Sequence, residues 1–100
     1  MYRLVLKCLR HGKLDYLYLM PIVDQEDVMI SFGLTFNKYK SYSFSTIHEA
    51  KFVLKYLLNN KKELTALIKE YTESIVGYEI EEDYGTQKIT RLVEIGKIKL

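Results

Sequence analysis

Cysteine, proline and tryptophan are nearly missing here: one Cys, one Pro and no Trp in 100 residues. A single cysteine cannot close an intrachain disulfide, which excludes a disulfide-stapled secreted scaffold and favours a reducing, cytoplasmic compartment. Long apolar runs are absent too. The longest, Leu17 to Val23, contains Pro21 and falls far short of the roughly 20 residues a membrane helix needs. Lys7 and Arg10 interrupt the apolar start of the chain, so it does not read as a signal peptide. No membrane contact is expected.

Strong charge of either sign is also lacking. Residues 1–60 carry 8 basic and 5 acidic side chains, residues 61–100 carry 7 and 8, and the formal net charge is +2. A dedicated DNA binder would carry a larger basic excess, and a mimic of DNA a large acidic one. What is abundant is ordinary for a globular chain, with 48% hydrophobic and 28% charged residues. That balance argues against disorder. The length suits one compact domain, 1–100.

Hydrophobic periodicity organises the chain. Tyr2, Leu4, Leu6 and Cys8 alternate with Arg3, Val5, Lys7 and Leu9, as in a half-buried strand. Gly12 supplies a turn, and Leu14 to Met20 resumes as a second strand that Pro21 is expected to end. Val28 to Phe36 reads as a third strand with a bulge or kink at Gly33. A short fourth strand is read over Tyr39 to Phe44. Thr46 and Glu49 then have capping-box spacing, and Ile47, Ala50, Val53, Leu54, Leu57 and Leu58 fall on one helical face. Asn59 and Asn60 stop that helix, and Asn60 with Glu63 caps a second whose stripe is Leu64, Leu67, Ile68, Tyr71 and Ile75, ended by Gly77. Tyr78 and Ile80 open a final hairpin, Glu82 to Gly85 turns it, and Lys88 to Ile95 returns, with a bend at Gly96. The expectation is an α+β domain: a mostly antiparallel sheet with two helices packed on it, in the order β-β-β-β-α-α-β-β.

Catalytic and metal chemistry find few residues to work with. Cys8 lies on the apolar strand face, where a free thiol behaves as a small hydrophobe. A Cys8–His48 nucleophile pair requires the fold to bring the two together. His11 and His48 otherwise read as surface residues. There is no Cys-x-x-Cys or His-x-x-x-His, and Asp24, Glu26 and Asp27 lack the glycine and terminal glutamate of a calcium loop. The five glycines are isolated, so no phosphate cradle forms. No catalytic, metal or cofactor site is expected, and the chain reads as a non-enzyme.

Binding surfaces remain. Glu79, Glu81, Glu82 and Asp83, flanked by Tyr78 and Tyr84, join steering charge to aromatic anchors and form a candidate protein-docking turn. As an ordinary solvated hairpin, the same carboxylates would tolerate amide replacement at about 0 to 1 kcal/mol each. Lys38, Lys40, Lys51, Lys55, Lys61 and Lys62 form the alternative, a nucleic-acid surface in which Tyr39, Tyr42 and Phe44 offer stacking rings. Lys51 and Lys55 share a helix face. The bland alternative places Tyr42 and Phe44 in the core.

From Tyr2 to Leu58 the layout resembles small phage and prophage accessory proteins of low-GC Gram-positive bacteria. The features are Tyr2-Arg3-Leu4-Val5-Leu6-Lys7, Tyr16-Leu17-Tyr18-Leu19 and Phe44-Ser45-Thr46-Ile47-His48-Glu49-Ala50. The resemblance implies a cytoplasmic protein of a bacterial host that binds and inhibits one host macromolecule, a CRISPR nuclease among the candidates (anti-CRISPR-like). A small nucleic-acid-binding regulator is the second reading, and a homodimer joined through an exposed strand edge the third.

Overall fold

The structure is a computed structural model describing residues 1–72, 74–84 and 90–98, with the side chain of Ile30 left out. Strands β1 (Tyr2–Arg10), β2 (Lys13–Val23) and β3 (Met29–Thr35) come first, followed by helices α1 (Ile47–Asn59) and α2 (Lys61–Ile68). Strands β4 (Ser74–Asp83) and β5 (Thr90–Lys97) complete one antiparallel sheet in the order β3-β2-β1-β4-β5. The α+β class is as read from the sequence, and the element order is β-β-β-α-α-β-β. Among the described residues no helix is long and apolar enough to cross a membrane.

The β1–β2 turn works because His11 (φ 54°) and Gly12 (φ 75°) both adopt positive φ, the geometry that matches strand twist in two-residue hairpins. Both helices pack on one face of the sheet, where Leu4, Leu6, Leu17, Leu19, Leu34 and Ile80 meet Ala50, Leu54, Leu64 and Ile68. Cys8 belongs to this core. Its Sγ faces the Asp15 carbonyl, and burial raises the thiol pKa, so it is held as the unreactive thiol. Tyr42 and Phe44 are likewise part of, or packed on, the core.

Several boundaries differ from the sequence reading, each for a local reason. No fourth strand forms over Tyr39 to Phe44. Asn37 caps a 3₁₀ turn over Lys38–Lys40, and within this segment Phe44 alone makes a β-bridge, an isolated one to Tyr2. Pro21 lies inside β2 instead of ending it. The Tyr42 N–H donates to the Leu19 carbonyl, so Leu19, and Pro21 two residues on, turn their backbone groups away from β3. The missing donor therefore removes nothing from the β2–β3 ladder. The register shift of that ladder falls between Ile22 and Val23, not at Gly33.

α2 stops at Ile68, and Ile75 and Gly77, read as its end, belong to β4. Apolar spacing continued past the helix because Ile75 must be buried beside Cys8 on the same sheet face. Thr46 Oγ accepts from the Glu49 N–H as expected, but the Glu49 carboxylate reaches back to the Ser45 N–H. Asn60 makes no side-chain cap for α2; its amide donates to the Tyr56 carbonyl and closes α1 instead. Gly85, Lys88 and Ile89 of the hairpin reading lie outside the described residues.

The second face of the sheet carries no helix, yet Val5 on it is fully buried. Tyr18 and Glu79 stand directly across from it on the neighbouring strands, and Arg3 lies two residues along on the same face. The Arg3 guanidinium donates to Ser41 Oγ (2.7 Å), Glu81 (3.1 Å) and Asp83 (2.8 Å). Lys7 adds a pair with Glu79 at 3.9 Å.

Candidate protein-binding groove

The Thr46 cap fixes where α1 begins, and the 3.6-residue period then fixes what each face meets. Ala50 and Leu54 go down into the core, with Ile47, Val53, Leu57 and Leu58 packed against it. This leaves Phe52 and Tyr56, one turn apart, on the outer side and 72% and 55% exposed. Between α1 and β3 the surface sinks into an apolar cavity of about 460 Å³, with Phe32, Tyr42 and Phe44 in it and Met29, His48 and Phe52 on its walls. The rings support one another: Tyr42 and Phe44 meet edge to face at 4.8 Å, and Phe32 and Tyr42 at 5.5 Å. Edge-to-face rings of this kind contribute about 0.5–1.5 kcal/mol beyond their buried area, so this floor is preorganised.

The depression continues. Phe32 and Val53 also line a second cavity of about 290 Å³, which runs past Tyr56 to Asn60 and Glu63. Beyond it, at the α1–α2 corner, stand Lys61 and Lys62. The result is one groove along α1, aromatic at the His48 end beside Glu49, with Glu63 at the α2 end and Lys61 and Lys62 at the corner just beyond it. Lys55, Lys61 and Lys62 are exposed and, among the described residues, form no ion pair.

Apart from Lys61 and Lys62 at its far corner, the sequence-derived site residues do not line the groove, and the fold divides both sets. Glu79, Glu81 and Asp83 point to the helix-free face, where Lys7 and Arg3 hold them. Glu82 points to the other face, opposite Tyr2. Hydrogen bonds from the Tyr84 and Tyr2 hydroxyls, with Arg91 nearby, lower its pKa. Tyr78 turns towards β5 and donates to Glu94 at 2.8 Å. The four carboxylates therefore present no single acidic surface.

The lysines are divided in the same way. Lys38 reaches Glu81 on the helix-free face at 3.9 Å, whereas Lys51, Lys55, Lys61 and Lys62 ride on the helices. Lys51 pairs with Glu94 at 3.0 Å, and Lys40 is exposed on the 3₁₀ turn. Cys8 and His48 are not brought together either. His48 lines the aromatic cavity near Phe44, which bridges Tyr2, while Cys8 lies six residues further along β1, about 20 Å at strand rise.

No family model, no curated protein and no solved structure matches this chain. The groove must be read on its own chemistry. Among the described residues no group of three His, Cys, Asp or Glu could hold a metal.

Sequence reasoning missed the groove because Met29, Phe32, Phe52 and Tyr56 drew no attention as strand or helix residues. A signal was present in α1. Phe52 and Tyr56 lie off the buried stripe at i,i+4, where a helix packed on a sheet ordinarily presents polar side chains. Large aromatic side chains exposed next to one another mark interaction surfaces.

Proposed function

We propose that this chain is a non-enzymatic binding protein that captures a partner protein in the α1–β3 groove. The observation carrying this reading is the pairing of exposed Phe52 and Tyr56 with the preformed aromatic floor of Phe32, Tyr42 and Phe44. Aromatic pockets of this kind hold the anchor residues that dominate protein–protein affinity. The basic corner at Lys61 and Lys62 supplies the complement: a partner segment with a large apolar side chain followed by carboxylates. In the setting implied by the phage-type resemblance, the partner is a host macromolecule and capture inhibits it, a CRISPR nuclease being one candidate.

Selection from a random-peptide library tests the groove directly. Binders are expected to share an apolar anchor and acidic residues on one side of it. Phe52→Asp should abolish their binding, while Lys61→Glu with Lys62→Glu should weaken the acidic peptides selectively. Binders indifferent to Phe52→Asp would sink the reading.

A further inference from the structure

The two edges of the sheet differ in a way that their position alone does not require. On β5, Arg91, Glu94 and Lys97 stand along the edge, and the ladder shifts register between Ile80 and Glu81. Charges and bulges of this kind keep an edge from pairing with another chain. The edge at β3 also has a bulge, since Ile22–Ser31 and Val23–Met29 pair with one step on β2 and two on β3, but it lacks the charges. From Val28 to Phe36 there is no charge and no proline, and from Ser31 to Thr35 the ladder with β2 runs without a shift.

Its backbone groups are also aimed outward. Because the Leu19 carbonyl points away from β3 towards Tyr42, its partner Leu34 points away from β2. Phe32, opposite Pro21, does the same. Among the described residues neither makes a backbone bond on that outer side. We infer that this edge pairs with the same edge of a second copy of the chain, antiparallel across a two-fold axis.

Charge selects that occupant. At one end of the uncharged stretch lies the β2–β3 turn with Asp24, Glu26 and Asp27 and no base. Past the other end, around Phe36, lie Arg10 and Lys69, with Lys13 opposite Arg10, against Asp15 and Glu70. An acidic–neutral–basic edge is complementary to itself when run antiparallel and mismatched when run parallel. A second copy meets both ends at once, as an isologous interface requires.

The outward backbone groups lie in the plane of the sheet, whereas the groove opens over its helical face. Pairing therefore leaves the groove accessible, and an axis normal to the sheet sets two grooves side by side on one face. The inference stands independently of the partner proposed for the groove.

Sedimentation equilibrium on the full chain decides the matter. The wild type should sediment at twice the 11.8 kDa chain mass, and added salt should weaken the association. Ser31→Lys combined with Met29→Lys, at two exposed side chains of the edge, should weaken dimerisation by about tenfold or more. Leu92→Lys with Ile95→Lys on β5 should leave it unchanged. Circular-dichroism melts establish that each variant folds, and Ser31→Lys alone serves if the double variant does not. A wild type that stays monomeric, a dimer indifferent to the β3 lysines, or one dissolved by the β5 lysines would each overturn the inference. Phe52→Asp separates the two readings, because it should abolish peptide capture while leaving the sedimenting mass unchanged.

Discussion

The ring of Tyr78 lies across Gly96 on the neighbouring strand, so closely that a methyl group on Gly96 would overlap it. That close approach lets the Tyr78 hydroxyl reach Glu94, which Lys51 of α1 also grips. One glycine thus permits a three-residue latch between the helix layer and the last strand. Gly96→Ala should destabilise the fold by about 1–3 kcal/mol through overpacking. In a Tyr78→Ala background the same change should be nearly neutral, and a denaturation double-mutant cycle measures the difference.

The latch carries a pH dependence of definite sign. The Tyr78 hydroxyl, and then Lys51, hold the Glu94 carboxyl below its ordinary pKa. A lowered carboxylate pKa adds stability that is complete above the unfolded glutamate value and is lost as pH falls through the folded one. Melting the wild type beside Glu94→Gln should therefore show a gap at neutral pH that closes in acid. The pair is partly exposed, so the gap should be small, about 0 to 1 kcal/mol.

Arg3 presents a larger effect. Its side chain is 9% exposed and holds Glu81 and Asp83 on the helix-free face. Arg3→Met should cost about 2–4 kcal/mol in urea unfolding, since both carboxylates lose their counter-charge beside a buried strand. Glu81→Gln with Asp83→Asn should be destabilising in the same assay, unlike the near-neutral change expected of solvated hairpin carboxylates.

On α1, burial separates neighbours. Leu54→Ala should cost about 2–5 kcal/mol, because Leu54 fills the core between helix and sheet. Phe52→Ser, two residues away and largely exposed, should change stability by no more than about 0.5 kcal/mol. Thermal melts of the two variants check the helical phase, and with it the claim that Phe52 serves binding and not folding.

Much of this architecture was legible because it rests on short-range rules. The alternation of Leu4, Leu6 and Cys8, the Gly12 turn and the Thr46 cap are each decided by a few adjacent residues. What escaped was decided by partners distant in sequence. Val5 reads as a surface position until β2 and β4 set Tyr18 and Glu79 on either side of it. Pro21 reads as a strand end until β1 is seen to have diverged, leaving Tyr42 at that side of β2. Ile75 fits a helical stripe equally well, and only its place beside Cys8 makes it a strand residue. The groove escaped for the same reason: Phe32, Tyr42, Phe44 and Phe52 come from three segments, and no local pattern announces their convergence.

The central place of β1 has a kinetic consequence. Its pairs with β4 run from Leu9–Ser74 to Tyr2–Glu82, among the most sequence-distant in the sheet. On a ribosome adding about 5–20 residues per second, β1 to β3 can pair early, but the other side of β1 waits several seconds for β4. Until then Leu4, Leu6 and the backbone of β1 form an open template. Translational pausing before Ser74 should therefore favour aggregation, and pausing after Asp83 should not. The strand best shielded in the finished protein is the one the growing chain leaves longest unguarded.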